Sequence, residues 1–364
     1  MSNLKRTITP AAIALGLAFA IASMVLLISG HNPGIAYRAM WKNFATVDGL
    51  ITSINIGARY YIAAVSVAIA LKMNVFNIGT SAQYQLAAMF GAVVGAAISL
   101  PAPLHVAVTL IVAMAAGAVW ASLIAILNIT RKVNPVLTGI MLNGVGASVI
   151  AYMMQSTWTN FRDPGRPAYG STRPIPKSGQ LPVFGIGNAK LQSYVFLAVI
   201  VGIGFYLLVY RTRFGFDLRA SGGNPSAARS AGINPKKMIL ITMCLSGAVA
   251  GLIGMGIVLS SNDQLSYGDR FPGSLGFTGI GIALLGRNHP VGVAAAALLW
   301  AALDQGARGL VTVNIAGEIA VILQGSLLFI AVIVYAVWER KSLAAMIREA
   351  AARTHHPRAE EASA

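Results

Sequence analysis

The stretch RTRFGFDLRASGGNPSAARSAGINPKK, Arg211–Lys237, is basic and broken by glycines, and an apolar run flanks it on each side. The flanks at 192–210 and 238–260 are long enough to cross a bilayer as helices. The loop therefore reads as a water-facing connector between two membrane spans, and that reading decides the fold. Outward from it the same alternation repeats, with further spans expected at about 10–29, 51–71, 80–98, 104–127, 135–154, 273–287, 289–307 and 317–338. Composition agrees: 56% of the 364 residues are hydrophobic and 10% charged, against about 25% charged in a soluble domain. Mean hydropathy is +0.69. In lipid every backbone polar group must be paired internally, so long runs of Leu, Ala and Ile predict helices and not barrel strands. The expected fold is all-α, a polytopic integral membrane protein of about ten transmembrane helices.

A formal charge of +16 would point to nucleic acid in a soluble protein. Its placement gives another account. With the N-terminus in the cytoplasm, the inner segments collect Lys5, Arg6, Lys72, Arg131, Lys132, Arg211, Arg213, Arg219, Arg229, Lys236, Lys237 and Arg287. The tail adds Arg340, Lys341, Arg348, Arg353 and Arg358. This is the positive-inside bias, so both termini are expected in the cytoplasm, with membrane lipid and not nucleic acid as the charged neighbour. The organisation that follows is a cytoplasmic N-terminus (1–9), a membrane domain (10–338) and a cytoplasmic tail (339–364). Within the membrane domain, 155–191 is an external loop and 211–237 a cytoplasmic one. The first run is read as a span and not as a signal peptide, because it is long for such a segment and no small-x-small site precedes His31.

Several chemistries are missing. There is no G-x-x-x-x-G-K-[ST] motif and no Gly-Lys pair, so the chain carries no P-loop. No H-E-x-x-H, G-x-S-x-G or Cys/His metal spacing occurs. Cys244 is the lone cysteine, inside a span, and His355 and His356 sit in the polar tail without a third ligand. Of the few acids, Asp304 and Glu318 alone can reach membrane depth, near outer ends. Ion-coupled carriers usually need buried ionisable groups, and a transferase acting on phosphorylated lipid needs clustered acids to hold a metal. No metal or cofactor is expected in this chain, and the energy has to come from another one.

Two membrane segments are unlike plain lipid-facing helices. KMNVFNIGTSAQYQLAAMFGAVVGA, Lys72–Ala96, places Asn74, Asn77, Thr80, Ser81, Gln83 and Gln85 in or beside a span. GSLGFTGIGIALLGRNHPVGVAAAALLW, Gly273–Trp300, is interrupted by glycines and by Arg287-Asn288-His289-Pro290. Polar groups at membrane depth have to face protein or a water-filled path, and interrupted segments in both halves mark substrate paths in transporters. Close helix packing on glycine is the plainer alternative. In the cytoplasmic loop, Asn224 is a good N-cap, Pro225 suits the first helical position and Gly232 the C-terminal stop. The result is a helix of about two turns with a thin face of Ala227, Ala228 and Ala231, suited to a partner's groove. A surface connector meeting anionic lipid is the alternative.

The loop FGFDLRASGGNPSAARSAGI resembles the cytoplasmic loop of permease subunits of ABC importers, in the branch with ribose, branched-chain amino acid and nucleoside systems. FNIGTSAQYQLAA (Phe76–Ala88), NPVLTGIMLN (Asn134–Asn143) and GFTGIGIALLGRNHPVG (Gly276–Gly292) are similar to blocks of the nucleoside and simple-sugar permeases. Together these cover most of 70–335, in the family's order. Two departures stand out: Thr80-Ser81-Ala82-Gln83 replaces Ala-Glu-Gly-Gln or Thr-Pro-Gly-Gln, and Asn134-Pro135 replaces Asn-Glu.

The resemblance implies a multi-pass permease of the bacterial inner membrane that pairs with a second, similar permease chain, expected to be a heterodimer. An ATP-binding subunit carries ATP and Mg, and an external substrate-binding protein delivers the solute. The expected cargo is a nucleoside, with a ribose-like sugar or flavin-like vitamin as alternatives; an ion-coupled carrier or a membrane enzyme stands further off. Asn77, Gln83, Tyr84, Asn143 and Phe277 are the path candidates, amides to hydrogen-bond a polar solute and rings to stack on it, with interhelical glue as the plainer role. Asn224, Pro225, Ala227, Ala228, Arg229 and Gly232 are the candidates for coupling to the ATPase. Arg162, Arg166, Arg173 and Lys177, basic on the outer side against the general bias, are the candidates for docking an acidic patch of the binding protein.

Overall fold

In the computed structural model the described backbone covers residues 2–155, 170–260, 264–268, 270–331 and 333–334. The helices are α1 (Ser2–Ile28), α2 (Pro33–Phe44), α3 (Val47–Lys72), α4 (Thr80–Ala97), α5 (Ala102–Arg131), α6 (Pro135–Met153) and α7 (Tyr194–Arg211). They continue as α8 (Arg213–Gly223), α9 (Pro225–Ser230), α10 (Pro235–Leu252), α11 (Met255–Val258), α12 (Leu275–Leu285) and α13 (Pro290–Ala307), then α14 (Ile319–Ala331). By length and hydropathy alone, six spans among the described residues qualify to cross a membrane. The protein is a helical membrane protein, as its sequence leads one to expect. The shortfall from about ten is instructive, because α12 and α14 are short and α4 opens on a polar turn.

The chain divides into two compact units, 1–39 with 310–364, and Met40–Gly309. In the first, the Tyr37 ring stands edge-on to Phe19 at 5.2 Å, and its hydroxyl donates to the Phe19 carbonyl at 3.0 Å. The second unit is built around α3, which is buried without a break from Tyr60 to Ala70. Small side chains allow this: Ala58, Ala63, Ala64, Ala68 and Ala70 let α7, α10, α12 and α13 approach its axis from several directions. Beside it, α5 and α10 meet backbone to backbone, since a Cβ on Gly117 would strike the Gly247 carbonyl.

α3 ends where Asn74 takes the left-handed conformation (φ 59°) and Val75 N–H returns to the Ala70 carbonyl. The chain then turns back along the helix it has just left. The segment between α6 and α7 holds a feature that an all-helical reading lacks, a hairpin of β1 (Val183–Ile186) and β2 (Ala189–Gln192). Asn55 of α3 clamps it, donating to the Lys190 carbonyl at 2.8 Å and accepting from Gln192 N–H at 3.0 Å. Upstream, Thr172 and Ile175 N–H donate to the carbonyls of Tyr267 and Leu265 at 2.7 and 2.9 Å. The loop is thereby stitched to the irregular segment that leads into α12.

Candidate functional site

The interrupted segments meet inside the bundle. Asn77 lies on the irregular segment between α3 and α4, and its Nδ2 donates to Ser246 Oγ at 2.8 Å, which in turn donates to the Ser66 carbonyl at 2.7 Å. Ser66 is roughly 9 Å along α3 from its basic end and Ser246 roughly 16 Å along α10, so α4 starts well below the surface. Opposite it, Gly276 in the first turn of α12 packs on the backbone of Thr80 and Ser81, where a Cβ would not fit. Ser81 Oγ donates to the Gly273 carbonyl at 3.1 Å, and the Tyr84 hydroxyl donates to the Pro272 carbonyl. The 18-residue α4 and the 11-residue α12 thus begin at one buried junction. Irregular backbone at such depth requires protein or a water-filled path around it.

Each path candidate lies at or beside this junction, and four of the five have a definite task there. Asn77 and Gln83 exchange amide hydrogen bonds, 2.9 Å in both directions, and both are fully buried. Tyr84 is fully buried too. In this conformation those three hold the polypeptide and present no surface to a solute. Asn143 of α6 substitutes for a missing cap: Gly79 at the start of α4 has no side chain to offer. Asn143 Oδ1 accepts from Ala82 N–H and its Nδ2 donates to the Ile78 carbonyl, both at 3.0 Å. Phe277 is 48% exposed on α12. Gln85, whose Nε2 donates to Ser81 Oγ at 3.2 Å, stands half-buried on the same side, beside exposed Gly273 and Ser274. Gln85 and Ser81 were not among the path candidates, although their spacing of four residues puts them on one helical face.

Both departures from the family pattern acquire a physical role. Ser81 ties α4 to the α12 segment through Gly273. Pro135 occupies the first turn of α6 behind Asn134, whose Oδ1 accepts from Val136 N–H at 2.9 Å.

At the basic end, each of three successive helices is capped by its own residue. Thr212 accepts from Gly215 N–H at 3.1 Å. Asn224 accepts from Ser226 and Ala227 N–H at 3.1 Å each, and Asn234 from Lys236 and Lys237 N–H at 3.1 and 3.2 Å. Gly232, at φ 82°, terminates α9, and Ile233 N–H closes on the Ala228 carbonyl at 2.9 Å. The sequence reading expects one helix in this loop; α8 is a second, formed because Thr212 caps a run whose Leu218 packs with Met73 and Met238. The supposed thin face is also corrected. Ala228 is buried, because α9 needs an apolar side against the protein, while Asn224, Pro225, Ala227, Arg229, Ala231 and Gly232 are exposed.

On the opposite side, Arg173 and Lys177 are exposed, with buried Ile175 between them. Arg162 and Arg166 lie outside the described residues. Among the described residues no group of three His, Cys, Asp or Glu side chains could hold a metal.

Residues 49–332 match the family model "Branched-chain amino acid transport system / permease component". This chain belongs to that permease family. The guanosine ABC transporter permease protein NupP of Bacillus subtilis is 30% identical over 81% of this permease and 84% of its own length. The glucose ABC transporter permease protein TsgB13 of Haloferax volcanii is 31% identical over 79% of this permease and 77% of its own length. The nucleoside ABC transporter permease protein NupB of Lactococcus lactis is 27% identical over 90% and 92%. No solved structure matches the permease.

Proposed function

We propose that this permease is the membrane-spanning subunit of an ABC importer that moves a nucleoside across the bacterial inner membrane. An external binding protein delivers the solute, ATP and Mg are bound and turned over on a partner subunit, and this chain supplies the path. The observation that carries the reading is the near full-length similarity to permeases named for guanosine and for nucleosides. A simple sugar is the second reading, supported by the glucose-named relative.

The path runs over the accessible side of the α4–α12 junction. Gln85 and Ser274 offer hydrogen bonds and Phe277 a ring face, while Asn77, Gln83, Tyr84 and Asn143 set the shape beneath them. Polar groups on a membrane-embedded face need a protein partner, which supports pairing with a second permease chain, a heterodimer on this reading. Both termini and α8–α9 face the cytoplasm. There the exposed residues Asn224, Pro225, Ala227, Arg229 and Gly232 meet the ATP-binding subunit. Force on α9 passes to α8, and Leu218 of α8 bears on Met73, four residues before Asn77. The ATPase therefore acts on the junction through a short, continuous piece of chain. Arg173 and Lys177, with Arg162 and Arg166, steer an acidic face of the binding protein.

The test is uptake of labelled nucleoside and of labelled ribose in cells carrying this chain and its neighbouring transport genes, with the ATPase intact or inactivated. Nucleoside uptake that needs the ATPase and resists excess ribose is the expected result. Ribose uptake alone moves the permease to the sugar reading, and uptake that survives loss of the ATPase overturns both.

A further inference from the structure

A groove of about 800 Å³ runs between α3, α7 and α13, lined by apolar and small side chains such as Ala198, Gly202 and Ala294. That volume lies within the range of small-molecule sites. Its basic end is different. Tyr206 and His289 line the groove there, and Tyr210 packs against both, at 5.6 and 5.8 Å between rings. Three cations gather on these rings: Lys72 Nζ 5.3 Å and the Arg219 guanidinium 5.4 Å from the centre of Tyr210, and the Arg211 guanidinium 5.7 Å from that of Tyr206. Arg211, Arg219 and His289 are exposed, while Lys72 is half-buried. One carboxylate, Asp217, is carried on α8, so the group stays net positive.

We propose that this groove and its cationic end bind one anionic glycerophospholipid, the phosphate at Lys72, Arg211 and Arg219 and one acyl chain along α7 and α13. Two independent features select an amphiphile. A phospholipid is apolar along its acyl chain and anionic at its headgroup, matching both features at once, whereas a free phosphate makes no use of the groove. The cations sit where α7 leaves the apolar layer, the level of lipid headgroups, and each cation near such a surface strengthens anion binding about fivefold. The inference rests on the proposal that this end faces the cytoplasmic leaflet only for which leaflet supplies the lipid; the geometry of the site does not depend on it.

The test uses the complete transporter purified in mild detergent with equal amounts of phosphatidylglycerol and phosphatidylcholine, read by native mass spectrometry. Phosphatidylglycerol is expected to be retained in preference on this chain. The triple variant Lys72→Gln, Arg211→Gln, Arg219→Gln is expected to lower that retention by more than tenfold, and Ala294→Trp, which fills the groove and leaves the cations, to lower it as well. Equal retention of the two lipids overturns the proposal, as does an unchanged triple variant. Equal displacement of the lipid by glycerol phosphate would leave a headgroup site only and also overturns it. So does efficient cross-linking of two chains through Ala294→Cys, which would make the groove a protein interface. If a variant fails to fold, the wild-type competition between the two lipids decides. Because none of these readouts involves transport, failure here leaves the nucleoside reading standing, and the reverse also holds.

Discussion

Asn224 and Asn143 do the same job in different surroundings, the first exposed and the second half-buried within the bundle. Asn224 caps α9 from within, two and three residues from the N–H groups it accepts, in full view of solvent. Asn143 caps α4 from a different helix, because α4 begins inside the bundle on a glycine. A surface helix start can fall back on water if its cap is lost. A start buried at membrane depth cannot, so its donors and acceptors need protein partners with fixed geometry. The loop of α8 and α9 is therefore a set of autonomous pieces, whereas the junction is one interdependent structure.

The sharpest way to break this contrast is Gly276→Val. A Cβ there meets the backbone of Ser81 and Thr80, so the chain is expected to lose its monodisperse, folded fraction in detergent; a normal elution profile would refute the buried junction. Gly232→Ala, the surface counterpart at φ 82°, is expected to cost only about 1 kcal/mol. Next in size is Asn77→Leu, which leaves the Gln83 amide without its partner and takes a donor from Ser246, whose own bond to the Ser66 carbonyl remains. It is expected to destabilise the protein by about 2–4 kcal/mol, seen as a lower unfolding midpoint. Adding Gln83→Leu should recover part of that loss, and a strictly additive double variant would contradict the reciprocal pair.

Asn143→Ala removes a cap and a bond to the Ile78 carbonyl, for an expected loss of about 1–2 kcal/mol. The loss should appear as faster hydrogen exchange in the first turn of α4, a change that uniform exchange across the chain would rule out. Asn224→Ala is the mildest: about 1 kcal/mol, confined to α9. Global unfolding should stay in place while exchange in 225–230 speeds up and ATP-driven uptake falls. Unchanged uptake with a frayed α9 would remove this helix from coupling.

The candidate site was legible in proportion to how local its chemistry is. Asn224, Pro225 and Gly232 could be read because an N-cap, a first-turn proline and a left-handed glycine act over two or three residues. The polar content of Lys72–Ala96 was visible, and Asn77 and Gln83 stood out in it. Their engagement with each other and with Ser246 was not, because helical periodicity says nothing of a partner 169 residues away. Gln85 and Ser81 were noted as polar but not singled out for the path, for a related reason: their significance comes from Gly273, 192 residues beyond Ser81. The second loop helix, α8, was missed because its register is set by Leu218 against Met73 and Met238 and not by a strong pattern of its own.

What the amino-acid order determined alone is the class of solution. A chain this apolar must pair its backbone in helices, and its loop helix must start at Asn224 and stop at Gly232. What only the tertiary structure decided is where the polar interior goes. Small residues along α3 let the neighbouring helices close in, Asn74 turns the chain back, and Asn143, Ser81 and Gly276 then bring α4 and α12 to a common start. Those relations join groups that are distant in sequence and excluded from water, and only the packed bundle brings them within hydrogen-bonding distance.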